Sequence, residues 1–323
     1  MAELYAGIDL GGTTLIGALA GADGEVVAEK SVPTKSHRGP QAVLQSAAEL
    51  INDLAESAGA RVAAAGMGVP GLVDLRAGIT KFLPNLPTQW RDVAVRKILS
   101  PLIGCDVFLL NDVRTATLGE LTFGHGKHSD TMLFFALGTG IGGGVVVNRT
   151  LRLGPLGAAG ELGHQTILPD GPRCGCGNRG CLEALASGPA IVAEGVRLML
   201  SGQAPELQRI VAGDSGKVTT KTMAQAAIRG DERVKEAITR AAEYLGIGVA
   251  NAVTALHPDL VVLGGGVSAM GELLFDPVRK TVAKRVKMFP VSDIGIELSA
   301  LGDRAGVLGA VALAVQGGLR GND

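Results

Sequence analysis

The sequence predicts a mixed α/β protein built from two domains that enclose a cleft. The chain has 323 residues, which corresponds to about two domains at roughly 150 residues each. Apolar runs of strand length alternate with segments whose apolar residues recur at helical spacing. A strand, a turn rich in Gly and Thr, and a second strand occur around Asp9–Thr14 and again around Gly138–Gly144. This recurrence indicates an internal duplication.

The first half of the chain begins with short apolar strands separated by glycine turns. The Asp-Gly pair at Asp23 and Gly24 is typical of a β-hairpin, and Gly59 marks the end of a helix whose apolar residues are three or four apart. In order, the predicted elements are strands at Leu4–Ile8, Leu15–Ala20 and Glu25–Glu29, a helix at Pro40–Ala58, and strands at Val62–Val69 and Val107–Leu110.

The second half repeats the strand–turn–strand pattern and adds a long helix. Apolar residues at helical spacing predict this helix from about Asp231 to Leu256, where His257 and Pro258 end it. The other predicted elements are strands at Thr131–Ala136, Ile141–Val147 and Asp259–Leu263, and a C-terminal helix after Asp303. Because no Pro- or Ser-rich linker divides the halves, we expect packed domains rather than separate ones.

Composition excludes several classes of protein. With 46% apolar and 19% charged residues, the chain is too apolar to be disordered. Its net charge of −1 lacks the basic excess of a nucleic-acid-binding protein, and 3% aromatic residues are few for stacking on bases. The sequence has neither a recognisable signal peptide nor a transmembrane segment. We therefore expect a cytoplasmic protein that binds neither nucleic acid nor membrane.

Three glycine-rich turns follow apolar strands, at 9–14, 138–144 and 264–266. Backbone amides in such turns bind anions, and glycine lets phosphate oxygens approach closely. Asp9, at the end of the first strand, could order Mg²⁺ and its waters. Taken singly, each turn is equally an ordinary hairpin or a tight packing position, and none matches a P-loop or a dinucleotide-binding motif. Together they indicate a phosphate site built from duplicated turns.

A second cluster has the spacing of metal ligands: His164, Cys174, Cys176 and Cys181. Three thiolates and one imidazole complete a tetrahedral Zn²⁺ shell with no open position, which predicts a structural site. The alternatives are unbound surface thiols, a redox site, or a zinc ribbon that binds nucleic acid. The histidine and the intervening glycines favour zinc over the first two, and a ribbon normally pairs two C-x-x-C knuckles. Cys105 stands apart and is expected to be a small buried apolar residue.

Carboxylates and an amide form the third group of candidate residues. Asn111 and Asp112 lie at a strand-to-helix junction, where either residue type commonly serves as an N-cap. Glu161 and Glu183 flank the metal ligands, so a bound ion would fix both; without one they are ordinary surface acids. Carboxylates and amides near phosphate turns suit a polyol, and an aspartate can accept the proton of an attacking hydroxyl. The pattern therefore indicates phosphoryl transfer to a sugar hydroxyl.

These residues together resemble the ROK family of bacterial sugar kinases, within the actin-like, hexokinase-type ATPase superfamily. The E-x-G-H and C-x-C-G-x-x-G-C-x-E signatures are the most specific, and the likeness covers nearly the whole chain. The motifs are DLGGTT at 9–14, GVPG at 68–71, NLP at 85–87, ND at 111–112, GTGIGGG at 138–144, GELGH at 160–164, CGCGNRGCLE at 174–183 and GGG at 264–266.

The resemblance implies a fold and a domain division. It implies two actin-like (RNase H-like) ATPase domains around a central cleft, with a zinc-bound loop in the larger domain. We expect the small domain to comprise residues 1–115 plus 304–323, and the large domain residues 116–303. A homo-oligomer, dimer or tetramer, is also implied.

The resemblance also assigns roles to residues, with ATP, Mg²⁺ and a structural Zn²⁺ as the bound groups. Asp112 resembles the catalytic base that acts on the 6-hydroxyl of a hexose. The implied hexose contacts are Gly71, Asn85, Asn111, Asp112, Glu161, His164 and Glu183. The implied ATP contacts are Asp9, Gly11, Gly12, Thr13, Thr14, Gly138 and Thr139 near the phosphates, with Gly265 and Gly266 near the adenosine. His164 would serve twice, with one ring nitrogen toward zinc and the other toward the sugar.

The favoured activity is phosphorylation of glucose to glucose 6-phosphate by ATP. The alternatives are a related kinase of fructose or an N-acylmannosamine, a sugar-sensing regulator without turnover, and a zinc-stabilised scaffold with vestigial sites. Regulators of the family carry an added helix-turn-helix segment, for which a first strand at Leu4 leaves no space. The family often has Lys or Asn where Thr14 stands, so the chain lacks one charge near the expected phosphates.

Overall fold

A computed structural model describes residues 3–83 and 86–319 of the chain. The strands in this part of the chain are β1 (Glu3–Leu10), β2 (Thr14–Ala20), β3 (Val26–Pro33), β4 (Arg61–Val69), β5 (Leu72–Asp74), β6 (Ile79–Phe82), β7 (Arg91–Val93), β8 (Asp106–Asn111), β9 (Met132–Leu137), β10 (Ile141–Val147), β11 (Thr150–Leu151), β12 (Leu260–Gly264) and β13 (Gly295–Leu298). The α-helices are α1 (Pro40–Ala58), α2 (Val95–Ile103), α3 (Asp112–Thr122), α4 (Leu182–Ala186), α5 (Gly188–Leu200), α6 (Pro205–Ile210), α7 (Thr220–Ile228), α8 (Glu232–Leu256), α9 (Glu272–Arg285) and α10 (Ala305–Val315).

Two five-stranded sheets share one topology. Their strand orders are β3-β2-β1-β4-β8 and β11-β10-β9-β12-β13. In each, the earliest strand is central, with its immediate successor on one side and a later strand, parallel to it, on the other. The outermost later strand, β8 or β13, is also parallel to its neighbour. The structure thus confirms the mixed α/β class and the duplication expected from the recurring glycine turns.

Most predicted elements lie within one or two residues of the observed ones, and the hairpin of β1 and β2 is confirmed. The third strand is longer than its prediction, because its pairing with β2 continues until Thr14 meets Pro33. Most side chains of β3 are exposed, so its sequence carries little apolar signal. A small antiparallel sheet, β5-β6-β7, was not predicted.

Helices α1 and α8 end as the sequence predicts. Gly59 caps α1 in the left-handed conformation, with φ of 58°. His257 takes the left-handed conformation after α8, with φ of 43°, and Pro258 prevents the helix from continuing. Although α8 has 25 residues, one side of it is polar, and none of the helices in residues 3–83 and 86–319 is long and apolar enough to cross a membrane.

The chain divides into two compact units. The first comprises Met1–Ser129, Gly144–Gly160 and Ser299–Asp323, and the second comprises Asp130–Gly143 and Glu161–Leu298. The boundaries of these units differ from the expected domain boundary at residue 115. Helix α3 continues past that residue, and all of it belongs to the first unit. The domain boundaries expected from the sequence stay a prediction.

Within the first unit, α10 packs against β1, β4 and α3. The approach of α10 to α3 is so close that a Cβ at Gly309 would lie 1.7 Å from the carbonyl oxygen of Thr115. Only glycine permits this backbone contact. The beginning of α10 is thereby fixed beside the beginning of α3 and the end of β1.

Candidate active site

Two aspartates lie at one edge of the first five-stranded sheet. Asp9 is the penultimate residue of β1 and pairs with Gly68 of β4. Asp112 follows β8 directly, and β8 is parallel to β4. The carboxyl ends of β1, β4 and β8 therefore lie at the same edge, as ligand-binding edges of α/β sheets do. On the intervening strand β4, Gly68 pairs with Asp9 on one side and with Leu110 on the other.

Asn111 joins the carboxylate of Asp112 to the turn after β4. Its Oδ1 accepts hydrogen bonds from the amides of Val113 (3.1 Å) and Arg114 (3.2 Å), so the N-cap interpretation is confirmed. Its Nδ2 donates to Asp112 Oδ1 at 2.9 Å and to the carbonyl of Gly71 at 3.3 Å. The cap and the expected sugar contacts are therefore the same small cluster.

Desolvation raises the pKa of both aspartates. Desolvation raises the pKa of Asp112, against the lowering effects of the Val113 amide, the Arg114 charge and the Asn111 side chain. Desolvation and the nearby Asp112 raise the pKa of Asp9 to about 6. The Asp9 carboxylate also lies against the first turn of α10, where a Cβ at Gly306 would be 2.4 Å from its Oδ2. The site therefore concentrates negative charge that a cation would stabilise.

The turn between β1 and β2 is held by its carbonyl groups. The carbonyls of Gly11 and Thr13 accept from Thr34 at 2.8 and 2.9 Å, and that of Gly12 accepts from Ser36 Oγ at 3.1 Å. Gly12, Thr13 and Thr14 are nevertheless exposed. An exposed turn with a fixed backbone has the features of an anion-binding loop.

The second unit carries the two other glycine turns. Strands β9 and β12 are parallel, with Ala136 opposite Gly264, so Gly138 and Gly265 follow neighbouring strand ends. A Cβ at Gly265 would lie 2.5 Å from the carbonyl oxygen of Leu137. The turn at Gly138 is closed by its amide donating to the carbonyl of Gly140 at 2.9 Å. The structure thus brings the predicted Gly138–Thr139 and Gly265–Gly266 segments to one edge of this sheet.

The four predicted metal ligands form one cluster, in which all ligand atoms lie within 4.8 Å of one another. The Sγ atoms of Cys176 and Cys181 are 3.7 Å apart, and Cys174 Sγ is 3.7 Å from Nδ1 of His164. Two thiolates bound at about 2.3 Å to a tetrahedral ion lie ~3.8 Å apart. The donor set and its spacing therefore fit a tetrahedral metal ion.

Glu161 and Glu183 lie beside this cluster, as the sequence analysis expects. The Nε2 atom of His164, on the side of the ring away from Cys174, is 3.9 Å from Glu161 Oε2. Glu183 accepts from the amide of Ile141 at 2.9 Å and lies 3.7 Å from Cys174 Sγ. Glu161 and His164 keep 46% and 33% of their side-chain surface exposed, so a ligand can reach them.

Comparisons with known proteins show which family the chain belongs to. The model of the ROK family matches residues 5–317. The chain belongs to the ROK family. A Thermotoga maritima protein named glucokinase is 37% identical over 310 residues, covering 95% of this chain and 96% of that protein. A xylose repressor from Caldicellulosiruptor bescii is 33% identical over 313 residues, covering 96% of this chain and 77% of the repressor. The crystal structure of a ROK family glucokinase from Streptomyces griseus, in complex with glucose and AMPPNP, is 31% identical with a TM-score of 0.84, covering 97% of this chain and 99% of that one.

One predicted site residue lies outside the described chain, and two residues that contact the site were not predicted. Asn85, an expected sugar contact, lies outside the described residues. Sequence analysis did not identify Arg114 or Gly306, which contact Asn111 and Asp9 respectively. The spacing of Arg114 three residues after Asn111 on a helix was the available signal for the first. Nothing local in the sequence points from Gly306 to a residue almost three hundred positions earlier.

Proposed function

We propose that this ROK protein is a glucokinase that transfers the γ-phosphoryl group of ATP to the 6-hydroxyl of glucose. The proposal rests above all on Asp112, a partly buried carboxylate of raised pKa at the beginning of α3, held by Asn111 next to Asp9. A raised pKa makes a carboxylate a better proton acceptor. Glucokinases of the same family, at 31% and 37% identity over nearly the full chain, support the choice of glucose.

The chemical step follows from these residues. A carboxylate oxygen of Asp112 accepts the proton of the 6-hydroxyl while the 6-oxygen of the sugar forms a bond to the γ-phosphorus. The bond from the γ-phosphorus to the bridging oxygen breaks, and its electron pair leaves with ADP. Mg²⁺, when bound, neutralises the phosphate charge, and Asp9 would hold it through its waters. Asp112 returns its proton to solvent after the product leaves.

The proposed binding roles follow the sequence motifs. In the first unit, the turn at 11–14 would hold phosphate oxygens, and Gly71, Asn85 and Asn111 would contact the sugar. In the second unit, Gly138 and Thr139 would contact phosphate and Gly265 and Gly266 the adenosine, while Glu161, His164 and Glu183 would accept or donate hydrogen bonds to sugar hydroxyls. The expected cytoplasmic location and homo-oligomeric state stay predictions.

A sugar-sensing regulator is the second candidate, and the xylose repressor among the relatives favours it. A regulator needs the sugar contacts but has no use for a proton acceptor beside a second acid. Keeping two partly buried aspartates close together costs free energy, because desolvation raises the pKa of both and the charge of Asp112 further raises the pKa of Asp9. The pair therefore favours the kinase.

The test is an ADP-release assay over a panel of sugars at fixed Mg-ATP. We expect glucose to give the highest kcat/KM, with mannose and glucosamine lower and fructose lowest, because a site whose polar groups are all engaged discriminates by up to ~10⁴-fold against a misplaced hydroxyl. If fructose or an N-acetylated sugar exceeds glucose tenfold, the choice of glucose is wrong. If no sugar releases ADP but glucose binds, the regulator is correct.

The metal cluster is proposed to hold one structural Zn²⁺ per chain. We expect Cys176→Ser to lower zinc content and melting temperature together, because the binding energy of the ion contributes to folding. Glucose KM should rise more than ATP KM, since Glu183 lies against the ligand Cys174. Elemental analysis, thermal melts and kinetics measure these changes.

Cys105→Ser is the matched control for this prediction. Cys105 is a free, partly buried thiol that packs against the core of the first unit. Its replacement should leave zinc content and both KM values unchanged. A metal-free wild-type preparation with full activity and an unaltered melting temperature would contradict the structural role of zinc.

A further inference from the structure

One face of α3 contacts the segments of the first unit that adjoin its boundaries with the second unit. The residues that share this face are Arg114, Thr117 and Glu120, each three positions apart. All three are buried. Their partners lie within the first unit, in segments that adjoin its boundaries at 129/130, 143/144, 160/161 and 298/299.

Thr117 and Glu120 contact the segments next to three of these boundaries. The Thr117 hydroxyl lies over Gly144, where a Cβ would be 2.0 Å away. Glu120 Oε1 accepts hydrogen bonds from Ser299 Oγ and from the Leu301 amide, the latter at 3.0 Å. Its Oε2 accepts from the amide of His125 at 3.3 Å, in the short segment before the chain leaves the unit at residue 129.

Arg114 holds the fourth boundary and also contacts the active site. Its Nε and Nη2 donate to the carbonyl of Ala159 at 3.1 and 2.9 Å, and its Nη1 donates to Asn111 Oδ1 at 3.0 Å. The planar guanidinium is suited to such divergent bonds, whereas an ammonium group is not. Ala159 is two residues before Glu161, and Asn111 holds Asp112. The side chain is 3% exposed, so its geometry is fixed by the surrounding packing.

We infer that Arg114 is a positioning residue, which fixes Asn111 and Asp112 against the Ala159–Gly160 segment that leads into Glu161. The inference rests on the proposed function, since it takes Asp112 as the proton acceptor and Asn111 as a sugar contact. Loss of these hydrogen bonds would leave Asn111 and Asp112 present but free to shift relative to the Ala159–Gly160 segment. A small displacement of reacting groups lowers the rate substantially, by up to ~10²-fold for about 1 Å. The hydrogen bonds of Arg114 described above go to Ala159 and Asn111, not to the glycine turns proposed to bind ATP.

The test compares Arg114→Lys with a matched control, Arg96→Lys. Arg96 has the same type of fork in the same unit: its Nε, Nη1 and Nη2 donate to the carbonyls of Val107, Arg76 and Leu75 at 2.9, 2.7 and 2.9 Å. Lysine keeps the positive charge in both variants but cannot form the divergent bonds. We expect both variants to lower the melting temperature. Only Arg114→Lys should lower kcat/KM for glucose, by about tenfold or more, with ATP KM unchanged within twofold.

If Arg114→Lys folds poorly, glucose affinity is measured by titration calorimetry and normalised to the fraction of protein that can bind. Arg114→Gln serves as the second variant. Weaker glucose binding in the Arg114 variants than in Arg96→Lys supports the positioning role. Equal losses of stability with unchanged glucose KM, kcat and affinity overturn it. If the wild-type chain binds glucose without releasing ADP, the proposed function fails, while the binding comparison still decides the role of Arg114.

Discussion

Asp112→Asn is expected to lower kcat by at least ~10²-fold, the range for removal of a general base. The amide has the shape of the carboxylate, so the cap formed by Asn111 and the helix α3 should persist. The amide at position 112, however, cannot accept the proton of the 6-hydroxyl. Glucose affinity should therefore remain within a few-fold of wild type, and the loss should appear in kcat when full glucose and ATP titrations are measured.

Asp106→Asn is the control for this loss. Asp106 is an exposed residue at the opposite end of β8, so its replacement removes one carboxylate from the same strand without touching the site. It should leave kcat unchanged. Near-normal turnover in a folded Asp112→Asn protein would refute the role of Asp112 as the base.

Asp9→Asn is expected to raise stability while it lowers activity. Burial and Asp112 raise the pKa of Asp9 from 3.8 to about 6. Below pH 3.8 the group is protonated in both the folded and unfolded states, so its ionisation costs nothing. As the pH rises through 6 the folded protein must ionise a buried group, and the cost reaches about 3 kcal/mol at neutral pH. Asparagine removes this cost, so the gain in free energy of unfolding should be present at pH 7 and fade toward pH 4.

The same substitution removes the carboxylate proposed to hold Mg²⁺. Turnover should fall by ~10²-fold, a barrier increase of about 2.7 kcal/mol. Denaturant melts at pH 7 and pH 4, together with ATP kinetics, measure the two effects. Asp53→Asn, on the exposed side of α1, is the control and should leave turnover unchanged. An Asp9→Asn protein that is less stable at pH 7 and fully active would contradict this account.

Local sequence signals were sufficient for much of the fold. Gly59 and the pair His257-Pro258 each end a helix by backbone chemistry that a neighbouring residue cannot override. The small sheet β5-β6-β7 could not be predicted, because its strands have only three or four residues and its register shifts at a bulge between Leu72 and Val73. Runs that short carry no measurable periodicity.

The candidate site likewise has a part that local sequence signals predict and a part that they do not. The metal ligands could be predicted because three of them lie within eight residues and the chemistry of zinc dictates their type. The cap at Asn111 follows from a two-residue motif. The anchoring of Ala159 by Arg114 and of Ser299 by Glu120 spans 45 and 179 positions. Contacts at such separation depend on tertiary packing, which no local pattern encodes.

The measurement that tests the central claim most directly is the identification of the product formed from glucose and Mg-ATP by the purified wild-type chain. Phosphorus and proton NMR of the reaction should show ADP and one phosphorylated sugar in equal amounts, with the phosphoryl group on the 6-oxygen. ADP without a phosphorylated sugar, a phosphoryl group on the anomeric oxygen, or no reaction at all would contradict phosphoryl transfer to the 6-hydroxyl of glucose.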